Sequence, residues 1–401
     1  MRGICLYLHI HQPWRVRTYS IFDVAVSNNY FSDPDYNSKQ SNERIFRKVA
    51  SKSYIPTFDL LEKNLATHEG FKFSLSITGV WLEQAETWMP ELITRLKKMV
   101  DTGRVELVAE TYYHSMSFFY SVDEFQEQVK KQVDTFKRIF GVTPKVFRNT
   151  EFSYNDSVGK VVEKLGFKGC LAEGWDKVLG WRSPNYVYKA AGTKNLKLLL
   201  KNYRLSDDIA FRFSDKSWKD WPLTVEKYET WLEASAQDGD TVNLFMDFET
   251  FGEHQWKETG IFEFMNRLID SWLSKEDHKF FTVSDRLKEE PADDVSFPWT
   301  VTWADTERDL SAWMGNKLQD EAMSSLYGLR DEVIKVANIR KDEKLLEDFR
   351  RLTTSDHAYY MCTKYWNDGD VHAYFSAYDS PFDAFMYFLN ALRSLEYRLE
   401  I

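Results

Sequence analysis

The chain has 401 residues, 43% hydrophobic and 28% charged, which is enough to bury a large core and too apolar for a disordered chain. Its formal charge of −10 argues against a protein that grips nucleic-acid phosphates, which needs a basic face. Three distant cysteines, Cys5, Cys170 and Cys362, make no CxxC pair or disulfide framework, no apolar run approaches a membrane span, and no leader pattern follows Met1, so a reducing cytoplasm is expected.

The first candidate strand is 3–10, GICLYLHI. The polar, aromatic stretch 15–56 reads as a long loop over one face. Further candidate strands follow at 71–77, 105–110, 145–149, 169–173, 196–205 and 242–249, with a weaker eighth at 280–285. Several are apolar on both faces, the habit of buried parallel strands. Helical segments lie between them. The segment 90–103 starts on Pro90 and ends on Gly103. The segment 121–141 opens with Ser121 and Glu124 as a capping box and stops at Gly141, and 153–167 ends near Gly166. This alternation predicts an α/β fold with a parallel sheet, and seven good strands fit an irregular barrel as well as a full one. Beyond about residue 300 the pattern is helical: Asp309 to about Ala337, then 341–366 and 383–400. The expected division is a barrel over 1–300 and a helical subdomain over 301–401.

In such a barrel the active site lies at the carboxyl ends of the strands. There the sequence places His9, His11 and Gln12, then Glu110 and His114, then Arg148 and Glu151, then Glu173 and Trp175, then Arg204, Asp207 and Asp208, and last Asp247, Glu249, Phe251 and His254. Acids and imidazoles gathered at one rim point to an enzyme. Glu151, at a strand exit, can attack an electrophilic carbon as a nucleophile; it also reads as a surface acid beside the next helix. Asp247 follows apolar residues. Burial should raise its pKa and let it hold a proton near neutral pH, with Glu249 on the same strand face reinforcing this by repulsion. An ion pair with Arg204 or Arg148 is the competing reading. His9 and His11, two apart on a strand, read as a metal pair, as hydroxyl donors to a sugar, or as buried structural histidines. Trp, Tyr and Phe make 16% of the chain and serve either a large core or platforms for sugars or bases.

Five motifs occur in order: HQP at 11–13, GRVELVAETYYHS at 103–115, FRNTEFSYND at 147–156, MDFETFGEHQW at 246–256 and WADTERDLSAWMGN at 303–316. Together they resemble the five sequence regions of glycoside hydrolase family 57. The resemblance implies an incomplete (β/α)7 barrel followed by helices and a retaining enzyme acting on α-1,4-glucans. It matches Glu151 to the nucleophile, Asp247 to the general acid/base and His11 to a histidine at the cleavage site. It puts Trp303, Asp305 and Trp313 where the helical part reaches into the cleft. On this reading His9, Gln12, Glu110, His114 and His254 bind sugar hydroxyls, while Trp14, Trp175, Phe251, Trp303 and Trp313 offer apolar faces. No cofactor or metal is called for, and no oligomeric state is set. The wording lies nearest the α-amylase branch, with 4-α-glucanotransferase and branching enzyme as alternatives. A metal-dependent polysaccharide deacetylase and a non-catalytic glucan-binding protein are the readings from other classes.

Overall fold

The computed structural model describes residues 2–364 and 376–400; Tyr365 and Trp366, at the end of one predicted helical stretch, lie outside them. Among the described residues ten strands form: β1 Arg2–Ile10, β2 Phe73–Ile77, β3 Val105–Val108, β4 Val146–Arg148, β5 Gly169–Glu173, β6 Val187–Ala190, β7 Lys197–Lys201, β8 Thr241–Asp247, β9 His278–Phe281 and β10 Asp294–Val295. β8, β1, β2 and β3 pair in parallel in that order, and so do β4, β5 and β7. Two seams join these sets. Ala109, just past β3, bridges to Phe147, with Arg148 N–H donating to Ala109 O at 2.8 Å. Between β7 and β8, Asn202 N–H donates to Asn243 O at 2.9 Å, and the Asn243 side chain donates to Leu200 O at 2.9 Å. The seven parallel strands thus make the incomplete (β/α)7 barrel that the resemblance implies.

Strand alternation sorts the side chains. On β1, Leu6, Leu8 and Ile10 pack outward against the surrounding helices, while Cys5 and Tyr7 fill the barrel interior. On β8, Leu244 and Met246 face outward and Phe245 inward. Tyr7, Phe245, Phe152 and Trp303 stack into an aromatic column that rises to the barrel mouth. The next inward positions above it are His9 and Asp247.

Four expectations are corrected. β7 stops at Lys201, because Asn202 caps a helix, Tyr203–Ala210, by accepting from Leu205 N–H. Arg204, Asp207 and Asp208 are therefore helical residues and not a strand exit. β8 stops at Asp247, and Phe248–Thr250 is a short 3-10 turn, so Glu249 does not share a strand face with Asp247. The loop read over 15–56 is helical from Asn42 onward, with Ser41 as N-cap and one π turn at Ala50–Tyr54 before the helix Ile55–Thr67. The weak eighth strand lies at His278–Phe281 and pairs with the start of β1. β6 was not expected; it returns antiparallel to β7 across a turn at Gly192 (φ 73°), a conformation glycine adopts without strain.

After residue 300 the described elements are helices: Ser311–Met314, Lys317–Gly328, Arg330–Arg340, Glu343–Leu352, Ser355–Tyr360 and Pro381–Glu400. They share a core with Trp14, Tyr19, Tyr30 and Phe31 from the long loop. No helix among the described residues is long and apolar enough to cross a membrane.

Candidate active site

His9 on β1 and Asp247 on β8 are register partners, and His9 Nδ1 lies 3.3 Å from Asp247 Oδ1. On its other side, His9 Nε2 lies 3.1 and 3.3 Å from the two oxygens of Glu110. Glu110 follows β3 and is fully buried; it also meets His114 Nδ1 at 3.0 Å and Arg148 Nη1 at 3.4 Å. His114 Nε2 reaches Glu151 Oε1 at 2.9 Å. Trp303 Nε1–H donates to Glu151 Oε2 at 2.6 Å. A continuous hydrogen-bonded chain therefore crosses the barrel mouth: Asp247, His9, Glu110, His114, Glu151.

The backbone is strained where this chain ends. Glu151, Phe152 and His114 adopt the left-handed conformation at φ 56°, 54° and 53°. For residues with a Cβ this costs on the order of 1–3 kcal/mol each and gathers at functional sites. Packing holds it in place: Phe152 stacks on Trp303 at 4.7 Å, and Trp303 N–H donates to Glu151 O.

The two acids meet different surroundings. For Glu151, burial works against ionisation, but the His114 hydrogen bond and charge, with Arg148, hold its carboxyl below the usual range. For Asp247, burial is likewise outweighed by His9, His254 and Arg148, so its carboxyl is also held low. The expected raised pKa at Asp247 is thus overturned, because the cationic and hydrogen-bonding groups around it outweigh its burial. Glu249 is shifted in the opposite direction. Burial, reinforced by the charge of Asp247, pushes its carboxyl up to about 8, while the Tyr54 hydroxyl donates to it at 2.8 Å. His114 shows the reverse of an ordinary buried imidazole: burial disfavours its charge, yet its bonds to Glu110 and Glu151 push its pKa up to about 9.

His11 is held differently. Its Nδ1 meets Thr78 Oγ1 at 2.9 Å and its Nε2 meets Asp356 Oδ2 at 2.9 Å, so both nitrogens are engaged within the protein. Its ring stacks on His114 with centroids 4.0 Å apart. Burial lowers its pKa to about 4, His114 adding to the effect against the pull of Asp356. His9, Glu110 and His114 bring possible metal-ligand atoms within 4.8 Å of one another, as do His11, His114 and Asp356. In the first set His9 Nε2 and His114 Nδ1 face Glu110 at hydrogen-bond distance, and in the second His11 Nε2 faces Asp356 while its Nδ1 meets Thr78.

A cleft of about 1450 Å³ opens at this mouth. Of the residues expected to bind substrate, it is lined by His9, His11, Gln12, His114, Trp175, His254, Trp303, Asp305 and Trp313, and by both Glu151 and Asp247. Gln12 is tied to Arg15, and Trp313 is almost wholly buried against Tyr359. Three expected contacts lie elsewhere. Glu110 is enclosed beneath the histidines. Trp14 packs on Trp88 under Arg351, its indole N–H donating to Glu83. Phe251 is buried in the outer core near Phe262. Sequence reasoning missed Asp356 and Tyr359, which enter from the helix Ser355–Tyr360, and Trp256, which is 56% exposed on the cleft wall. For Asp356 the sequence carried no signal, since its partner His11 is 345 residues away.

The model of glycosyl hydrolase family 57 matches residues 5–300. A protein named "Putative alpha-amylase" from Methanocaldococcus jannaschii is 41% identical over 406 residues, covering 99% of this chain and 85% of that protein. Among solved structures, the GH57-type branching enzyme of Pyrococcus horikoshii superposes with a TM-score of 0.69 at 15% identity, over 93% of this chain and 87% of that one. The 4-alpha-glucanotransferase of Thermococcus litoralis superposes with a TM-score of 0.63 at 16% identity, over 89% of this chain but only 56% of its own length. Both structures share this chain's fold.

Proposed function

This chain belongs to glycosyl hydrolase family 57, and on that premise we propose that it hydrolyses α-1,4-glucans with retention of configuration, Glu151 as nucleophile and Asp247 as general acid/base. The observation that carries the assignment is that both carboxylates face one cleft and are the two ends of one hydrogen-bonded chain. Glu151, kept ionised by His114 and oriented by Trp303, attacks the anomeric carbon. Asp247 gives a proton to the departing glycosidic oxygen, and a covalent glycosyl-enzyme forms. Water then adds to that carbon, Asp247 takes its proton, and Glu151 is released. Trp303, with Trp175 and Trp256 further along the wall, supplies apolar faces for sugar rings. The barrel, 1–300, carries both acids, and the helical part, 301–401, completes the cleft with Trp303, Asp305 and Asp356. Cytoplasmic residence belongs to the same proposal, supported by three buried thiols far apart in the sequence.

Hydrolysis is favoured over transfer by the name of the 41% identical relative. Maltoheptaose tests this directly. Shorter products alone support the hydrolase, longer ones identify a 4-α-glucanotransferase, and new α-1,6 linkages a branching enzyme. Glu151→Gln and Asp247→Asn should each lower turnover by about 10²–10⁴-fold with an unchanged circular dichroism spectrum. Near-normal activity in either variant would refute that residue's role.

A further inference from the structure

Glu110 is closed off from the cleft, yet it touches both imidazoles that touch the two proposed catalytic carboxylates. Hydrogen-bond accounting assigns the protons along this chain. Burial opposes charge on Glu110, but His9, His114 and Arg148 outweigh it and hold its carboxyl well below the usual range. An ionised carboxylate only accepts. His9 therefore offers N–H at Nε2, and His114 offers N–H at Nδ1. Glu151 is ionised too, so His114 also offers N–H at Nε2. That makes His114 an imidazolium, in keeping with its pKa of about 9. On His9 the remaining nitrogen, Nδ1, faces Asp247 Oδ1. This contact holds one proton, which can sit on either partner.

We propose that Glu110 is a positioning residue that sets the protonation of both catalytic carboxylates: it fixes His114 as the cation that keeps Glu151 nucleophilic, and it orients His9 to supply the proton that Asp247 hands to the leaving oxygen. This rests on the roles proposed above for Glu151 and Asp247. The hydrogen bond between His9 Nδ1 and Asp247 Oδ1 needs one proton between them, and in the open cleft the surroundings of Asp247 hold its carboxyl low. A bound glucan covers Asp247 and displaces water, which weakens the solvation of separated charges and favours the neutral pair. The proton passes from His9 Nδ1 to Asp247 Oδ1. As the bond from Glu151 to the anomeric carbon forms and the glycosidic C–O bond breaks, the leaving oxygen takes that proton. In the second half, water adds its oxygen to the anomeric carbon and its proton to Asp247 as the Glu151 bond breaks. The chain regains the proton it lost, and His9 can take it back.

Every element packed here contributes charge or polarity. His114 faces Glu110 behind β3, Glu151 beyond β4, His9 on β1, His11 just past it, and Asp356 from the helix Ser355–Tyr360, while Arg148 on β4 reaches the same Glu110. His9 faces Glu110 and Asp247 and the rings of His11, His114 and Trp303.

Two variants test the proposal. Glu110→Gln keeps the shape but offers one acceptor oxygen and one NH₂ in place of the shared acceptor. The alkaline limb of kcat/KM should move down by about one pH unit or more, and the His114 imidazole, followed by ¹⁵N NMR in the free protein, should titrate lower by a similar amount. KM for maltoheptaose should stay within about twofold. A Glu110 with only a structural role would lower Tm and leave the limb and the His114 titration in place. His9→Asn retains a hydrogen-bond donor toward Asp247 but has no proton to give. It should slow maltoheptaose cleavage by about 10²–10⁴-fold while sparing an aryl α-maltoside whose leaving group departs without a proton. Equal losses on both substrates, or an unmoved His114 titration in Glu110→Gln, would overturn the proposal. A wild-type protein that cleaves no α-glucan would defeat the functional reading instead, and the His114 titration would still decide whether Glu110 sets its charge.

Discussion

At Glu249 burial and charge settle in the opposite sense from Asp247, two residues away. Glu249 meets a tyrosine hydroxyl and a backbone N–H where Asp247 meets an imidazole. The folded protein holds Glu249's proton to about 8, against an ordinary 4.5. An acid raised in this way binds its proton more tightly folded than unfolded, so its burial costs stability as pH rises from about 4.5 to about 8. Glu249→Gln, which mimics the protonated acid and keeps the Tyr54 bond, should show no Tm gain near pH 4.5 and its largest gain at and above pH 8. A Tm difference independent of pH would place the Glu249 proton elsewhere. The types of residue at the site were legible in the sequence, because acids and histidines cluster after strands. Their protonation was not, because it depends on partners such as His9 for Asp247 that only register brings together. Glu110 makes the same point: its place behind β3 was readable, but its enclosure beneath two imidazoles was not.

Among the elements, β1, β2, β4 and β5 were readable from apolar runs of strand length, and the helix Val122–Phe140 from Ser121 and Gly141 at its ends. The ends of β7 and β8 were not, since apolar residues continue past both into a helix and a 3-10 turn whose buried faces need them as much as a strand would. The helix starting at Asn42 was hidden by its polar composition; only Phe46 and Val49 mark its buried face beside Asn42. At the β7/β8 seam a side chain adds to the backbone bond from Asn202 N–H to Asn243 O. Asn243 donates to Leu200 O and accepts from Arg286. Asn243→Ala leaves both buried groups short of a partner and should lower stability by about 1–3 kcal/mol in urea unfolding. A change below about 0.5 kcal/mol would mean that the barrel closes there without Asn243.

For the molecule as a whole, the barrel and the helical part meet at the chemistry. Asp356 holds His11, Ser355 N–H donates to His114 O at 2.9 Å, and Arg308 pairs with buried Glu173 at 2.7 Å. Asp356→Ala should therefore reduce kcat/KM by up to about 10²-fold through misplaced histidines, while the barrel stays folded. Unchanged kcat/KM would separate the helical part from catalysis. The central claim is that Glu151 forms a covalent bond to the sugar while Asp247 serves as acid and base. Incubation with a fluorinated α-maltosyl fluoride that slows release of the intermediate, followed by peptide mass spectrometry, tests it most directly. One glycosyl unit attached to the peptide bearing Glu151 is expected, together with loss of activity. A label on another residue, or turnover that releases the inverted anomer with no adduct, would contradict it.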